Sequence, residues 1–155
     1  MRINEILNEK YVIKEQIGQG STSQVYLAED FQLGTRWAIK YIEKNKKMIA
    51  KEIRTMSKVQ HRAFPKIIDV FHSHEGSYIV QSYIEGVPLK KILESEEIRL
   101  NEVLVWIMQL AEALNYLQKL PEGIIHRDIK PDNIIIDEFR YVNIVDFGIA
   151  CTSVM

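Results

Sequence analysis

The apolar residues of this chain change period near Leu100, and that change most constrains what it can fold into. From there Leu100, Val103, Leu104, Ile107, Leu110, Ala111, Leu114 and Leu117 recur at i, i+3, i+4, i+7 spacing. This series predicts an amphipathic helix whose stripe packs into a core. Asn101 is its expected N-cap, and Pro121 and Gly123 stop it. Before Leu100 the pattern is β-like. Short apolar runs at 11–17, 25–28 and 37–42 are separated by Gly18, Gly20 and Gly34, where turns are needed. Two more strands, 66–71 and 78–83, flank a turn at 74–77. Between these groups Met48, Ile49, Ile53, Met56 and Val59 predict one helix over about 47–60. The cluster Lys44, Lys46, Lys47 and Lys51 reads as its solvated face. A hairpin, 134–136 with 141–145, follows the long helix. The expected class is α+β: a β-rich lobe with one helix, then a helical segment carrying a small hairpin, with a cleft between them.

Composition narrows the function classes. The chain has 155 residues, 46% apolar and 26% charged, the mixture of a soluble globular domain and not of a disordered tail or a collagen-like fibre. Lys plus Arg number 20 and Asp plus Glu 21, a net charge of −1. No basic field argues for nucleic acid or an anionic membrane surface. The longest apolar run is the six residues 103–108, against the ~20 a membrane-spanning helix needs. The N-terminus carries Glu5 and Glu9 and has no continuous apolar core, so it does not read as a secretory signal. The single cysteine, Cys151, permits no internal disulfide, and a reducing, cytoplasmic setting is expected.

Three segments carry chemistry. Residues 17–25, Ile-Gly-Gln-Gly-Ser-Thr-Ser-Gln-Val, join the first two strands. Glycines let backbone N–H groups approach phosphate oxygens where a side chain would intrude. The loop runs strand to strand, which disfavours a dinucleotide-binding turn; alone, Gly18 and Gly20 could equally serve a hairpin. Lys40 ends the run Trp37-Ala38-Ile39-Lys40 inside an apolar strand, a costly place for an ammonium unless an anion and a counter-charge meet it. The plain alternative is an edge lysine reaching water. Glu52, on the helix face of Met48, Ile49 and Met56, is the natural counter-charge. The decisive segment is Ile125-His126-Arg127-Asp128-Ile129-Lys130-Pro131-Asp132-Asn133, followed by Asp146-Phe147-Gly148. Asn133 and Asp146 flank one hairpin and can share a cleft with Asp128. Their oxygens are hard ligands suited to Mg²⁺.

In these motifs the chain resembles the eukaryotic-like serine/threonine protein kinases that bacteria also carry. The match runs from about residue 11 to 148 and holds the signature set in order: glycine-rich loop, Ala-Ile-Lys strand, helix glutamate, His-Arg-Asp loop and Asp-Phe-Gly. The resemblance implies an N-terminal extension over 1–10, a β-rich lobe with hinge over 11–86, and part of a helical lobe over 87–155. It implies ATP and Mg²⁺ as cofactors and a protein with a Ser or Thr acceptor as substrate. Ile17, Gly18, Gly20, Val25 and Ala38 would line the nucleotide site, with Val25 capping the adenine. Lys40 would hold the α- and β-phosphates and pair with Glu52. Gln81 would be the gatekeeper, and backbone groups of Ser82 and Ile84 would meet the adenine edge. Asp128 would accept or orient the substrate hydroxyl proton, Lys130 is the serine/threonine-type choice beside it, and Asn133 and Asp146 would bind Mg²⁺.

The departures are few. Ser23 stands where the family's third glycine usually lies, and the Lys40-to-Glu52 connection is short. The family would continue past Gly148 with an activation segment, an Ala-Pro-Glu motif and several helices, so the length reads as a truncation. That motivates an alternative: a catalytically silent kinase-like module that binds nucleotide or a partner. His72 and His74 form a His-x-His with no third ligand evident, His126 reads as structural in its loop, and Cys151 as a surface or packing residue.

Overall fold

The computed structural model describes residues 1–20, 23–43, 46–95, 98–146 and 151–152, with the side chains of Lys46, Lys47, Met48, Glu52, Cys151 and Thr152 outside that description. The chain is α+β and divides into two compact units, Met1–Ile53 with Lys66–Tyr83, and Arg54–Pro65 with Ile84–Met155.

The first unit is a six-stranded antiparallel sheet. Its strands are β1 (Ile6–Leu7), β2 (Tyr11–Gln19), β3 (Ser23–Asp30), β4 (Thr35–Glu43), β5 (Ile67–His72) and β6 (Gly76–Ser82), in the order β1-β2-β3-β4-β6-β5. Period-2 alternation gives the sheet two different faces. On one, Tyr11, Ile13, Tyr26, Ala28, Ile39, Tyr78 and Val80 form a buried cluster. Tyr11 on β2 stacks on Phe71 of β5 at 6.2 Å, although three strands separate β2 from β5 in the ladder. The sheet therefore curls around this cluster. The other face is covered by α1 (Lys46–Met56), whose Ile49 and Ile53 pack with Ile42, Ile67 and Ile79. The helix is shorter than the expected 47–60. Lys58 N and Val59 N bond back only three residues, to Thr55 and Met56, which tightens the chain into turns.

The second unit holds β7 (Gly86–Pro88), α2 (Leu89–Leu93), α3 (Leu100–Lys119), β8 (Ile124–Ile125), a 3-10 turn (Pro131–Asn133), β9 (Ile134–Asp137), β10 (Val142–Ile144) and β11 (Cys151–Thr152). β9 is the centre of a three-stranded sheet with β10 and β7, and β8 pairs with β11. Segment 54–65 packs here too. Gln60 N donates to Tyr116 Oη at 2.8 Å, Ile144 N donates to Ala63 O at 2.7 Å, and Arg62 lies 3.1 Å over the Tyr141 ring. α3 departs from expectation twice. Its N-cap is Arg99, without a side-chain cap bond. Its stripe is also only partly core: Leu117 and Ala113 are buried, whereas Leu100, Leu104 and Ile107 are 75%, 52% and 56% exposed. Equal spacing puts residues on one face, but what lies over that face decides their burial.

Candidate active site

In the first unit the expected nucleotide-binding residues lie on one part of the sheet. Register sets Gly18 opposite Val25, Val25 opposite Lys40, and Lys40 opposite Ile79, while Ala38 stands between Leu27 and Gln81. Since Trp37, Ile39 and Tyr41 belong to the curled face, Ala38 and Lys40 point to the opposite one, the face of Ile42 and α1. Lys40 is 3% exposed there, and Ala38 and Gln81 are buried beside it. Glu52 lies on α1, but its side chain is outside the described residues.

The glycine-rich loop is braced by side chains that sequence reasoning did not single out. Gln16 Nε2 donates to Gly18 O at 3.2 Å and to Gln19 Oε1 at 2.6 Å, and Gln19 Nε2 donates to Gly20 O at 3.3 Å. A Cβ on Gly20 would stand 2.9 Å from Ser23 Oγ, and one on Gly18 3.3 Å from Val25 Cβ. Ser23, at the third-glycine position, thus lies against Gly20, and its hydroxyl would have to turn aside for any side chain there. Ile17 is exposed and Ser82 closes β6, its N–H donating to Lys66 O at 2.9 Å.

In the second unit the His-Arg-Asp loop and the hairpin meet around one carboxylate. Asn133 Nδ2 donates to Asp128 Oδ2 at 2.8 Å and to Asp128 O at 3.0 Å. Lys130 Nζ reaches the same Oδ2 at 3.0 Å. That hydrogen bond first, with the charges of Asp128, Asp132 and Asp146, holds the Lys130 ammonium above its usual range despite partial desolvation. Val145 N donates to Asn133 O at 2.9 Å, which sets Asp146 and Asn133 at the same open end of the β9–β10 hairpin. His126 is buried beneath the loop and its Nδ1 accepts from Asp128 N at 3.4 Å. Burial pushes its imidazole below the usual histidine range, while the carboxylates of Asp146 and Asp128 pull the other way. Arg127 and Asp146 both have left-handed backbone, φ 66° and 72°, a conformation that non-glycine residues adopt at some cost. Lys90 pins α2 to the 3-10 turn through Asp132 at 3.1 Å. Ile84 lies in the connection before β7. Phe147 and Gly148 fall outside the described residues.

A metal, if bound, has hard oxygen donors here: Asn133 Oδ1 and the carboxylates of Asp146 and Asp128. Among the described residues no three His, Cys, Asp or Glu side chains form a ready metal cage. That donor set fits Mg²⁺, which takes one or two carboxylates and completes its shell with water and phosphate. His72 Nδ1 lies 2.6 Å from Ser77 Oγ. Among the described residues no helix is long and apolar enough to cross a membrane.

The family described as protein kinase domain matches residues 11–154. A probable serine/threonine-protein kinase of Clostridium acetobutylicum is 34% identical over 159 residues, covering 97% of this chain and 24% of that protein. Serine/threonine-protein kinase PrkC of Bacillus subtilis is 33% identical over 158 residues, again 97% of this chain and 24% of the relative. CBL-interacting protein kinase 28 of Oryza sativa subsp. japonica is 30% identical over 160 residues, 99% of this chain and 36% of that protein. The chain thus spans between 24% and 36% of the length of these relatives. With its motifs matched along nearly all of its length, the chain belongs to the protein kinase family.

Proposed function

We propose that this chain carries the nucleotide-binding and catalytic segments of an ATP-dependent serine/threonine protein kinase working in the cytoplasm. The observation that carries the reading is the convergence of Lys130 and Asn133 on Asp128 Oδ2, at 3.0 and 2.8 Å, beside the hairpin end that bears Asp146. Phosphoryl transfer through a loose transition state asks a protein mainly to position groups and neutralise charge. On this reading Asp128, held by two donors, orients the acceptor hydroxyl and takes its proton late. Lys130 offsets negative charge next to the γ-phosphoryl group. Lys40, on a buried strand, holds the α- and β-phosphates, and backbone N–H groups at Gly18 and Gly20 cover them. Ala38 and Val25 lie against the adenine and Gln81 limits its pocket, with backbone of Ser82 and Ile84 at its edge. Asn133 and Asp146 hold the cation. Members of this family generally use ATP and Mg²⁺; when bound, the ion neutralises phosphate charge and fixes the transferring group in line.

Radiolabel transfer from Mg-ATP to a serine- or threonine-containing protein tests the reading, with Asp128→Asn as the comparison. The expected result is labelling by the wild type and its near loss in the variant. Equal labelling overturns the enzymatic reading. Thermal stabilisation by Mg-ATP without labelling points instead to a nucleotide-binding module.

A further inference from the structure

We propose that Asp137 and Asn143, at the far end of the hairpin from the catalytic loop, are positioning residues for the divalent-cation site; this rests on the kinase reading above. Asp137 organises the turn. Its Oδ1 accepts from Phe139 N at 3.0 Å and Tyr141 N at 2.8 Å, and its Oδ2 accepts from Asn143 Nδ2 at 3.1 Å. Asn143 is buried, and Nδ2 also donates to Tyr141 O at 3.2 Å.

The need for such a bond lies in β9. Ile134, Ile135 and Ile136 stand opposite Ile144, Asn143 and Val142. Three identical side chains cannot distinguish one register from the next by shape. A buried amide bonded to a half-buried carboxylate can, because any slip takes the Asn143 amide, itself buried, away from its acceptors. Register matters here because a slip by one residue turns a strand's side chains to the other face. Asn133 lies one residue before this ladder and Asp146 two residues after it, tied by Val145 N to Asn133 O. Their relative placement is therefore fixed by the ladder, and the ladder by Asp137 and Asn143.

The test is thermal unfolding of the full chain with adenylyl imidodiphosphate at fixed concentration while Mg²⁺ is titrated, for wild type, Asp137→Asn, Asn143→Leu and the double variant. Each single variant should need severalfold more Mg²⁺ for half-maximal stabilisation, less than the roughly 10–100-fold that follows loss of a group bonded directly to a metal ligand, because both residues act from the far end of the hairpin. The double variant should need no more than the worse single, since each already removes the bond between Asp137 and Asn143. Unfolding without nucleotide checks that each variant folds. Asn143→Leu keeps both turn bonds of Asp137 and carries the test if Asp137→Asn does not fold. Wild-type Mg²⁺ dependence in the folded variants, or additive shifts, overturns the inference while leaving the kinase reading intact. A wild type whose stability ignores Mg²⁺ overturns the kinase reading, and the inference with it.

Discussion

The side-chain amide of Asn133 donates twice to Asp128, at 2.8 Å to its carboxylate and at 3.0 Å to its main-chain carbonyl. A residue expected only to hold a cation therefore also orients the residue expected to meet the acceptor hydroxyl. Replacing it by aspartate sets a carboxylate against a carboxylate where an N–H now donates. Asn133→Asp should cut transfer by about 100-fold or more, the scale for losing one preorganised donor at a charged centre. Initial rates of peptide phosphorylation measure this; a loss under tenfold would sink it.

Lys40 joins folding to function. It is almost fully buried between Val25 and Ile79, and removing one partner of a buried ion pair leaves the other charge uncompensated, at a cost of about 3–5 kcal/mol. Lys40→Met should lower the unfolding midpoint without nucleotide and, in the fraction that folds, lose stabilisation by Mg-ATP. Retained nucleotide stabilisation would refute the assigned role.

Asp30 gives the fold a dependence on acid. Burial pushes its carboxyl up, but the N–H groups of Leu33 and Gln32 and the Lys10 ammonium outweigh this and hold it below its usual range. A depressed carboxyl stabilises the folded state above its unfolded pKa of about 3.9 and loses that contribution as pH falls through the folded value. Asp30→Asn keeps an acceptor for both N–H groups and removes only the titration and the Lys10 pair. Its unfolding midpoint should fall less steeply below about pH 4 than that of wild type; parallel curves would contradict the assignment.

Gly86 is fixed by close approach. A Cβ there would lie inside contact distance of Ile136 O and 2.7 Å from Ile135 Cγ2. Gly86→Ala should destabilise the chain by about 1–3 kcal/mol, the scale of overpacking, because the nearest atom is backbone of the paired strand and not a side chain that can swing away. Urea denaturation should give a lower midpoint with an unchanged slope, and an unchanged midpoint would show that β7 can move aside.

Much of this was legible because the informative groups are close in sequence. Asp128, Lys130 and Asn133 span six positions, and their hydrogen bonds follow from one loop. The glycines at 18 and 20 lie where two strands must turn, and the strand pairs follow alternation. What escaped was set by distant neighbours. β1, β7, β8 and β11 have two or three residues each and exist because a partner strand pairs with them. α2, five residues long, carries too little periodicity to read. Asn101 looked like a cap, but Arg99 O already accepts from Glu102 N and Val103 N, so the helix begins two residues earlier. The glutamines bracing the glycine loop and the bond between Asp137 and Asn143 are ordinary polar residues until the backbone brings them together.

The interleaving of the two units has a consequence for synthesis and dissection. Residues 54–65 fold with the second unit, yet lie between the two stretches that build the first. The partners that hold this segment, Tyr116, Tyr141 and Ile144, are made after the sheet's last strand. On the ribosome the sheet can complete at Tyr83 while 54–65 waits for a further sixty residues to emerge. Cutting at a single peptide bond cannot separate the units either: a fragment ending at Tyr83 keeps a segment whose anchors it has lost, and the complementary fragment lacks it.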